Sequence, residues 1–346
     1  MSRFSLAAPL LGAMIALPSI ALPSLAIAQE VNLYTAREPA LIKPVLEAFT
    51  KDTGVKVNVV FAQNGLEERI LAEGANSPAD LLLTVDVANL AQAANMGITQ
   101  KITSPALDAA VPAAYRDAGG QWYAATLRAR VVYASKDRVK QDAITYEDLA
   151  DPKWKGKICI RDGQNAYNTA LFAHVVARLG AAKAEDWLKG VKANLAKKPS
   201  GGDRDVAKDI ASGQCDIGIA NTYYFGLMSN GAPEQKAWVQ AVKIILPSFA
   251  GGGTHVNVSG FAMAKNAPNR ANAQKLAEWL VSDAAQSLYA RQNFEHPVRA
   301  GIALDPIVSG FGELKPDSTP IAEIAKNHKT ASDLVDKVGF NAGPGT

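Results

Sequence analysis

Cysteine is nearly absent from this chain, at two residues in 346, and histidine is almost as scarce, at four. No Cys cluster and no His pair at ligand spacing occurs, which excludes a zinc-type site built from soft ligands. Aspartates are not clustered either, so the carboxylate-rich pattern that calcium favours is missing. There is no G-x-S-x-G elbow, no Walker loop, no dinucleotide fingerprint and no H-E-x-x-H, so the common enzyme signatures are lacking and the chain reads as a non-enzyme. Net charge is only +3 and no dense basic run appears, which removes the electrostatic case for nucleic acid. Beyond the first 28 residues no apolar run is long enough to span a bilayer. No internal repeat or low-complexity tract is visible outside that opening segment.

The opening segment is "MSRFSLAAPLLGAMIALPSIALPSLAIAQE". Arg3 precedes a long apolar stretch, and Ala26-x-Ala28 offers a small-residue cleavage site. This reads as a secretory signal peptide over residues 1–28, with the mature chain starting at Gln29. Pro9, Pro18 and Pro23 argue against a stable spanning helix. Export to an oxidising space favours a disulfide between Cys159 and Cys215, which lie in the strand-like runs "KGKICIRD" and "GQCDIGIAN"; two free buried thiols are the alternative.

The remaining length exceeds what one core usually serves, so two lobes are expected. "EVNLYTAREPALIKPVLEAFTKDTGVKVNVVF" reads as strand, helix, strand, with Pro39 in the first helical turn. Strand and helix patterns keep alternating, which predicts an α/β fold with a mostly parallel sheet. Residues 122–137 alternate over a long run, as a strand crossing between lobes would, and residues 242–266 read as the returning crossover. Gly251-Gly252-Gly253 within it reads as a flexible loop. The predicted architecture is a hinged cleft binder: residues 29–127 plus approximately 254–300 form the N-terminal lobe, and 128–253 plus approximately 301–346 the C-terminal lobe.

Tyrosines stand at the strand-to-helix turns of this pattern. Tyr34 follows the first strand, Tyr167 precedes a helix of the second lobe, and Tyr223 and Tyr224 follow "CDIGIAN". The bland reading of the adjacent pair is packing of amphipathic rings. The sharper reading is that the phenols share a hard, highly charged cation. A phenol near pKa ~10 is a poor ligand at neutral pH unless the metal's own charge drives the proton off. Ferric iron is the common candidate. Adjacent strand residues face opposite ways, so both can reach one ion only if the chain leaves the strand there. Arg37, Arg128 and Arg130 lie near the same turns, and are read either as screens for phenolates or holders of a small anion, or as hinge salt bridges. His174 reads as core, and His296 and His328 as surface or packing. His255 reads as structural rather than as a ligand.

The stretches "VNLYTARE", "SPADLLLTVDVANLAQAANMG", "LRARVVYASKD", "DLADPKWKGKICIRDGQNAYN", "SGGDRDVAKDIASGQCDIGIANTYYFG" and "GGGTHVNVSGFAMAKNAPN" together resemble the periplasmic ferric-iron-binding proteins of ABC-type iron importers, over roughly residues 30–340. That resemblance implies the two-lobed periplasmic-binding-protein fold of type II, with the ligand cleft between lobes joined by two crossing strands. It implies capture of Fe3+ in the periplasm, with carbonate or another small anion, and delivery to an ABC permease of the inner membrane by a monomer. Tyr34 and Tyr167 make the chain similar to the tyrosine-rich branch. Members of that branch often carry His after the Arg of the first motif; here Glu38 follows Arg37. Glu38 reads first as a helix-capping acid and second as a replacement ligand. The implied sequence of events has Tyr167, Tyr223 and Tyr224 holding the metal first, with Tyr34 arriving on closure. The rival reading keeps the fold and changes the solute to thiamine, a polyamine or an oxyanion.

Overall fold

The computed structural model describes Met1 and residues 29–345. The expected leader, residues 1–28, falls outside the described residues except for Met1. Ten strands are present among them: β1 (Glu30–Thr35), β2 (Lys56–Phe61), β3 (Leu81–Thr84), β4 (Thr99–Gln100), β5 (Trp122–Ser135), β6 (Ile158–Cys159), β7 (Ile217–Asn221), β8 (Val242–Ile245), β9 (Val256–Ala264) and β10 (His296–Pro297). The main path runs β2-β1-β3-β9-β5-β7-β6. β1 pairs in parallel with β2 and β3, and β6 with β7. The two long central strands are antiparallel to their neighbours. The sheet is therefore mixed rather than mostly parallel, because β5 crosses the molecule in one direction and β9 comes back.

β5 is the spine. Its first part, through Ala129, pairs with β9, and from Arg130 onward it pairs with β7. All fourteen of its positions are buried. The alternation in its sequence does not mark one wet face, since helices cover both sides. One core gathers Val31, Leu33, Phe49, Leu83 and Phe261 on one side of this switch, and another gathers Val132, Tyr146, Phe172, Ile219 and Phe249 on the other. The helix Ile321–Lys326 straddles them, with Ile321 in the first core and Ile324 in the second.

Where the crossing strands meet, the packing is polar and fully buried. The Tyr146 hydroxyl donates to the Arg130 carbonyl at 2.6 Å and accepts from the His255 amide at 3.0 Å, fastening β5 to the start of β9. His255 Nδ1 lies 2.9 Å from His174 Nδ1, and His174 Nε2 lies 3.1 Å from an Asp317 oxygen. Asp317 also accepts from the Gly253 amide. A Cβ on Gly252 or Gly253 would run into Asp317 or the backbone around it. The triple glycine is thus a close-approach site for the segment around Asp317, where the sequence suggested a flexible loop. Cys159 and Cys215 form a disulfide between the neighbouring β6–β7 strand ends.

Burial lowers the His174 and His296 pKa values to about 4 and holds His255 well below the usual imidazole range, although Asp317 acts in the opposite direction on His174. In the unfolded chain a histidine titrates near ~6.5. As pH falls through that value the unfolded state takes up protons that the fold refuses, so stability drops from ~6.5 down to about 4. Urea unfolding at pH steps across that interval should show a falling midpoint; a flat midpoint would contradict this account.

Candidate metal centre

β7 ends at Asn221, and the helix Thr222–Ser229 starts at the next residue. Tyr223 and Tyr224 occupy its first turn, where they are no longer bound to strand alternation. Their rings stack at 4.2 Å with planes 29° apart. Tyr167 lies in the first turn of the helix Ala166–Leu179, whose cap Asn165 accepts from the Tyr167 amide. The Tyr167 and Tyr223 hydroxyls are 3.4 Å apart. Three phenols thus meet at two helix N-termini, where partial positive charge favours anionic oxygen.

Guanidinium groups surround them. Arg37 lies 5.8 Å from the Tyr223 ring centroid and Arg204 4.9 Å from that of Tyr224. Arg128, Arg130 and Arg161 lie 5.2, 5.9 and 5.1 Å from that of Tyr167. Burial, then the charges of Tyr167 and Tyr224, lifts Tyr223 well above the usual phenol range, while Arg37 and Arg128 act against the rise. Tyr224 is raised by burial, then by Tyr167 and Asp203. Without a cation these phenols keep their protons.

The three arginines read from the sequence do different work. Arg130 is hydrogen-bonded through each side-chain nitrogen: to Asp203 at 2.5 Å, to Asn168 Oδ1 at 2.6 and 3.2 Å, and to Asn221 Oδ1 at 3.3 Å. Asn168 belongs to the Tyr167 helix, and Asn221 immediately precedes the Tyr223 helix. Arg130 is therefore a positioning residue, with all three of its side-chain nitrogens hydrogen-bonded to these partners. Arg37 pairs with Glu295 at 2.7 Å and reaches Ser259 at 3.2 Å, and Arg128 donates to the same hydroxyl at 2.8 Å. Arg37 Nε and Arg128 Nη2 are buried without a hydrogen-bond partner. Arg161 and Arg204 were missed in the sequence. Arg161 stands two residues after β6, and the rule that selected tyrosines at strand ends would have found it had it been applied to cations.

Tyr34 is not brought to the cluster. Its hydroxyl lies 3.0 and 3.1 Å from the two oxygens of Glu73, and its ring lies under Arg69 among Leu66, Ile70 and Leu82. Glu73 also accepts from Arg69 and Ser77. The cause is strand parity. Leu33 faces one side of the sheet, so Tyr34 faces the other, beneath the helix Leu66–Glu73. The expectation that Tyr34 closes on the metal is therefore corrected. His255 does not join the phenols either; its Nδ1 is engaged by His174.

A cavity of about 420 Å³ opens above the phenols. Tyr167, Tyr224, Arg161 and Gln164 line one wall, and Glu38, Phe61, Gln63 and Asn64 the other. A separate apolar groove of about 430 Å³, between the helix Pro39–Thr53 and β2, holds none of the phenols. Among the described residues no group of three or more His, Cys, Asp or Glu is arranged to hold a metal; the carboxylates that line the cavity, Glu38 and Asp162, stand singly.

Residues 34–287 match the family model described as bacterial extracellular solute-binding protein. Iron uptake protein A1 of Synechocystis is 42% identical over 90% of this chain and 88% of its own. Among solved structures, a Bordetella ferric binding protein is 60% identical with TM-score 0.84, covering 90% of this chain and 99% of that one. The apo ferric ion-binding protein A of Pasteurella haemolytica is 48% identical with TM-score 0.87, covering 91% and 99%. The fold is the two-lobed periplasmic-binding-protein fold, with its cleft between lobes joined by β5 and β9. On this match the chain belongs to the bacterial extracellular solute-binding proteins.

Proposed function

We propose that this chain captures ferric iron in the periplasm through tyrosinate ligands and delivers it to an ABC-type permease of the inner membrane. The observation that carries the reading is the meeting of Tyr167, Tyr223 and Tyr224 at two helix N-termini inside a ring of arginines. Ferric iron is hard, trivalent and suited to anionic oxygen, and its charge supplies the force that removes the phenol protons, including those that burial holds on Tyr223 and Tyr224. The leader read at residues 1–28 supports the periplasmic location. The relatives' names supply the cargo, and a family of solute-binding proteins supports transport without turnover.

All three phenols lie on the lobe read as 128–253 plus approximately 301–346, so that lobe captures the ion. The other lobe, 29–127 plus approximately 254–300, then closes over it by rotation about β5 and β9. The ion favours the closed state only through contacts made on closure. Arg37 and Arg128 retain N–H groups for carbonate or another small anion. The chain acts as a monomer, since one cleft completes the site.

Titration of metal-free mature protein with ferric nitrilotriacetate tests this reading. A visible charge-transfer band should grow and saturate at one iron per chain. Tyr223→Phe and Tyr224→Phe should each weaken binding by about 100-fold or more, beyond the ~10–100-fold expected for a residue that only supports a ligand. A protein that retains no iron after desalting and shows no band would contradict it and favour another small solute. Tyr34→Phe should leave the titration unchanged and lower stability by about 1–2 kcal/mol through loss of the bond to Glu73. Loss of iron binding in that variant would restore Tyr34 to the site.

A further inference from the structure

We infer that Asn341, near the C-terminus, is a positioning residue of the iron site that holds the loop 162–165 in the form that presents Tyr167. The inference rests on the ferric reading and adds to it the segment on which one of the three phenols depends. Tyr223 and Tyr224 follow β7 directly, whereas Tyr167 follows the two-residue strand β6 by way of that loop. Tyr167 is also the least buried of the three phenols, so packing confines its ring less. Its placement therefore depends more on how the loop is held.

The loop is gripped from outside by the end of the chain. Asn341 lies in the short helical turn Phe340–Ala342, 178 residues from Gly163. Its Oδ1 accepts from the Gly163 amide at 2.7 Å, and its Nδ2 donates to Asp162 Oδ1 at 2.9 Å. The same Asp162 oxygen accepts from the Gln164 amide at 2.7 Å. One side-chain amide thus closes on two consecutive residues, using its acceptor on one and its donor on the other. Beside it, Gln164 Nε2 donates to the Ser332 carbonyl at 3.0 Å and to Asp336 at 2.8 Å, and the Ser332 hydroxyl donates back to Gln164 Oε1 at 2.8 Å. Gly163 is a close approach, since a Cβ there would lie 2.8 Å from Phe340 and 2.9 Å from Val335. Phe340 is fully buried, edge-on to Phe172 of the Tyr167 helix with centroids 5.5 Å apart, so Asn341 stands on a fixed mount.

From the loop the constraint reaches the phenol in a few bonds. The Asp162 carbonyl accepts from the Asn165 amide at 3.1 Å and from Asn168 Nδ2 at 3.0 Å. Asn165 Oδ1 accepts in turn from the Tyr167 amide at 3.1 Å. Asn168 is the residue that Arg130 holds from the other side. The start of the Tyr167 helix is therefore fixed from within by Arg130 and from outside by Asn341. Asn341 does not line the cavity, so it acts on the site only through the loop. Without its side chain the Gly163 amide loses its partner and the loop is released to pair with water. A bound ion tolerates only about 0.5 Å of misplacement in a ligand, so a loosened loop weakens the Tyr167 contact first.

The test is a double-mutant cycle on the mature chain, with Asn341→Ala and Tyr167→Phe made singly and together and titrated with ferric nitrilotriacetate. Asn341→Ala should lower iron affinity by about 10-fold, the low end of the range for a residue that supports a ligand. Its visible band should weaken or shift, because Tyr167 contributes less to it. In the Tyr167→Phe background the same replacement should change affinity by no more than about twofold, the scatter of independent sites. Ser332→Ala, which removes one neighbouring bond to Gln164, should show the same dependence on Tyr167 at smaller size, and it carries the test if Asn341→Ala fails to fold. An equal loss in both backgrounds would give Asn341 a merely structural role and overturn the inference. Parent-like affinity and band in Asn341→Ala, or parent-like binding in Tyr167→Phe, would also overturn it while leaving the ferric reading intact. Absence of the band in the parent protein would overturn both.

Discussion

The guanidinium of Arg130 is where the site and the hinge become one object. It lies on β5 at the residue where that strand leaves β9 for β7, and it is 1% exposed. A buried cation is tolerable only when paired and fully hydrogen-bonded, and Asp203, Asn168 and Asn221 meet that requirement. Those partners fix the starts of the two helices that carry Tyr167, Tyr223 and Tyr224. Asp203 tightens the arrangement by accepting from the Asn221 amide at 2.8 Å and by pairing with Arg161. A lysine here would lack the rigid planar fork that fixes the directions of these bonds. The main chain of the same residue is tied to the other crossing strand through Tyr146 and His255. The helix starts that carry the three phenols are therefore fixed relative to one another through a single side chain.

The electrostatics of the cluster pull in two directions. Dry surroundings and mutual repulsion oppose loss of the phenol protons, while the arginines favour it. The balance leaves neutral phenols in the empty cleft and makes their conversion to ligands conditional on a strong local charge. A site built this way discriminates by charge rather than by fit: a divalent ion exerts less force on the protons and gains less from oxygen donors. The disulfide between Cys159 and Cys215 joins the strand leading to Arg161 with the one leading to Tyr223, so both halves of the cluster rest on one stapled edge.

Much of this was legible in the residues. Tyr167, Tyr223 and Tyr224 were visible because strand-to-helix turns are where α/β folds gather ligands. The crossing strand was visible because residues 122–137 alternate over an unusual length. Tyr34 misled because nearness to a strand end says nothing about which face a side chain takes. That depends on register, and register is a property of the folded sheet. Gly251-Gly252-Gly253 misled for a related reason, since its partner around Asp317 is more than 60 residues away in the chain. Glu38 was legible only as an ambiguity, since an acid before Pro39 suits a helix start as well as a ligand, and that it makes no capping bond is a three-dimensional fact.

The central claim is that the three phenols bind one ferric ion as phenolates. Resonance Raman spectroscopy of the iron-loaded protein, excited within its visible band, addresses that claim directly. The account predicts enhanced ring modes of metal-bound tyrosinate that weaken when either Tyr223 or Tyr224 is replaced by Phe. Iron bound at one per chain with no enhanced tyrosinate modes would contradict it, and would return the stacked pair to the role of packing.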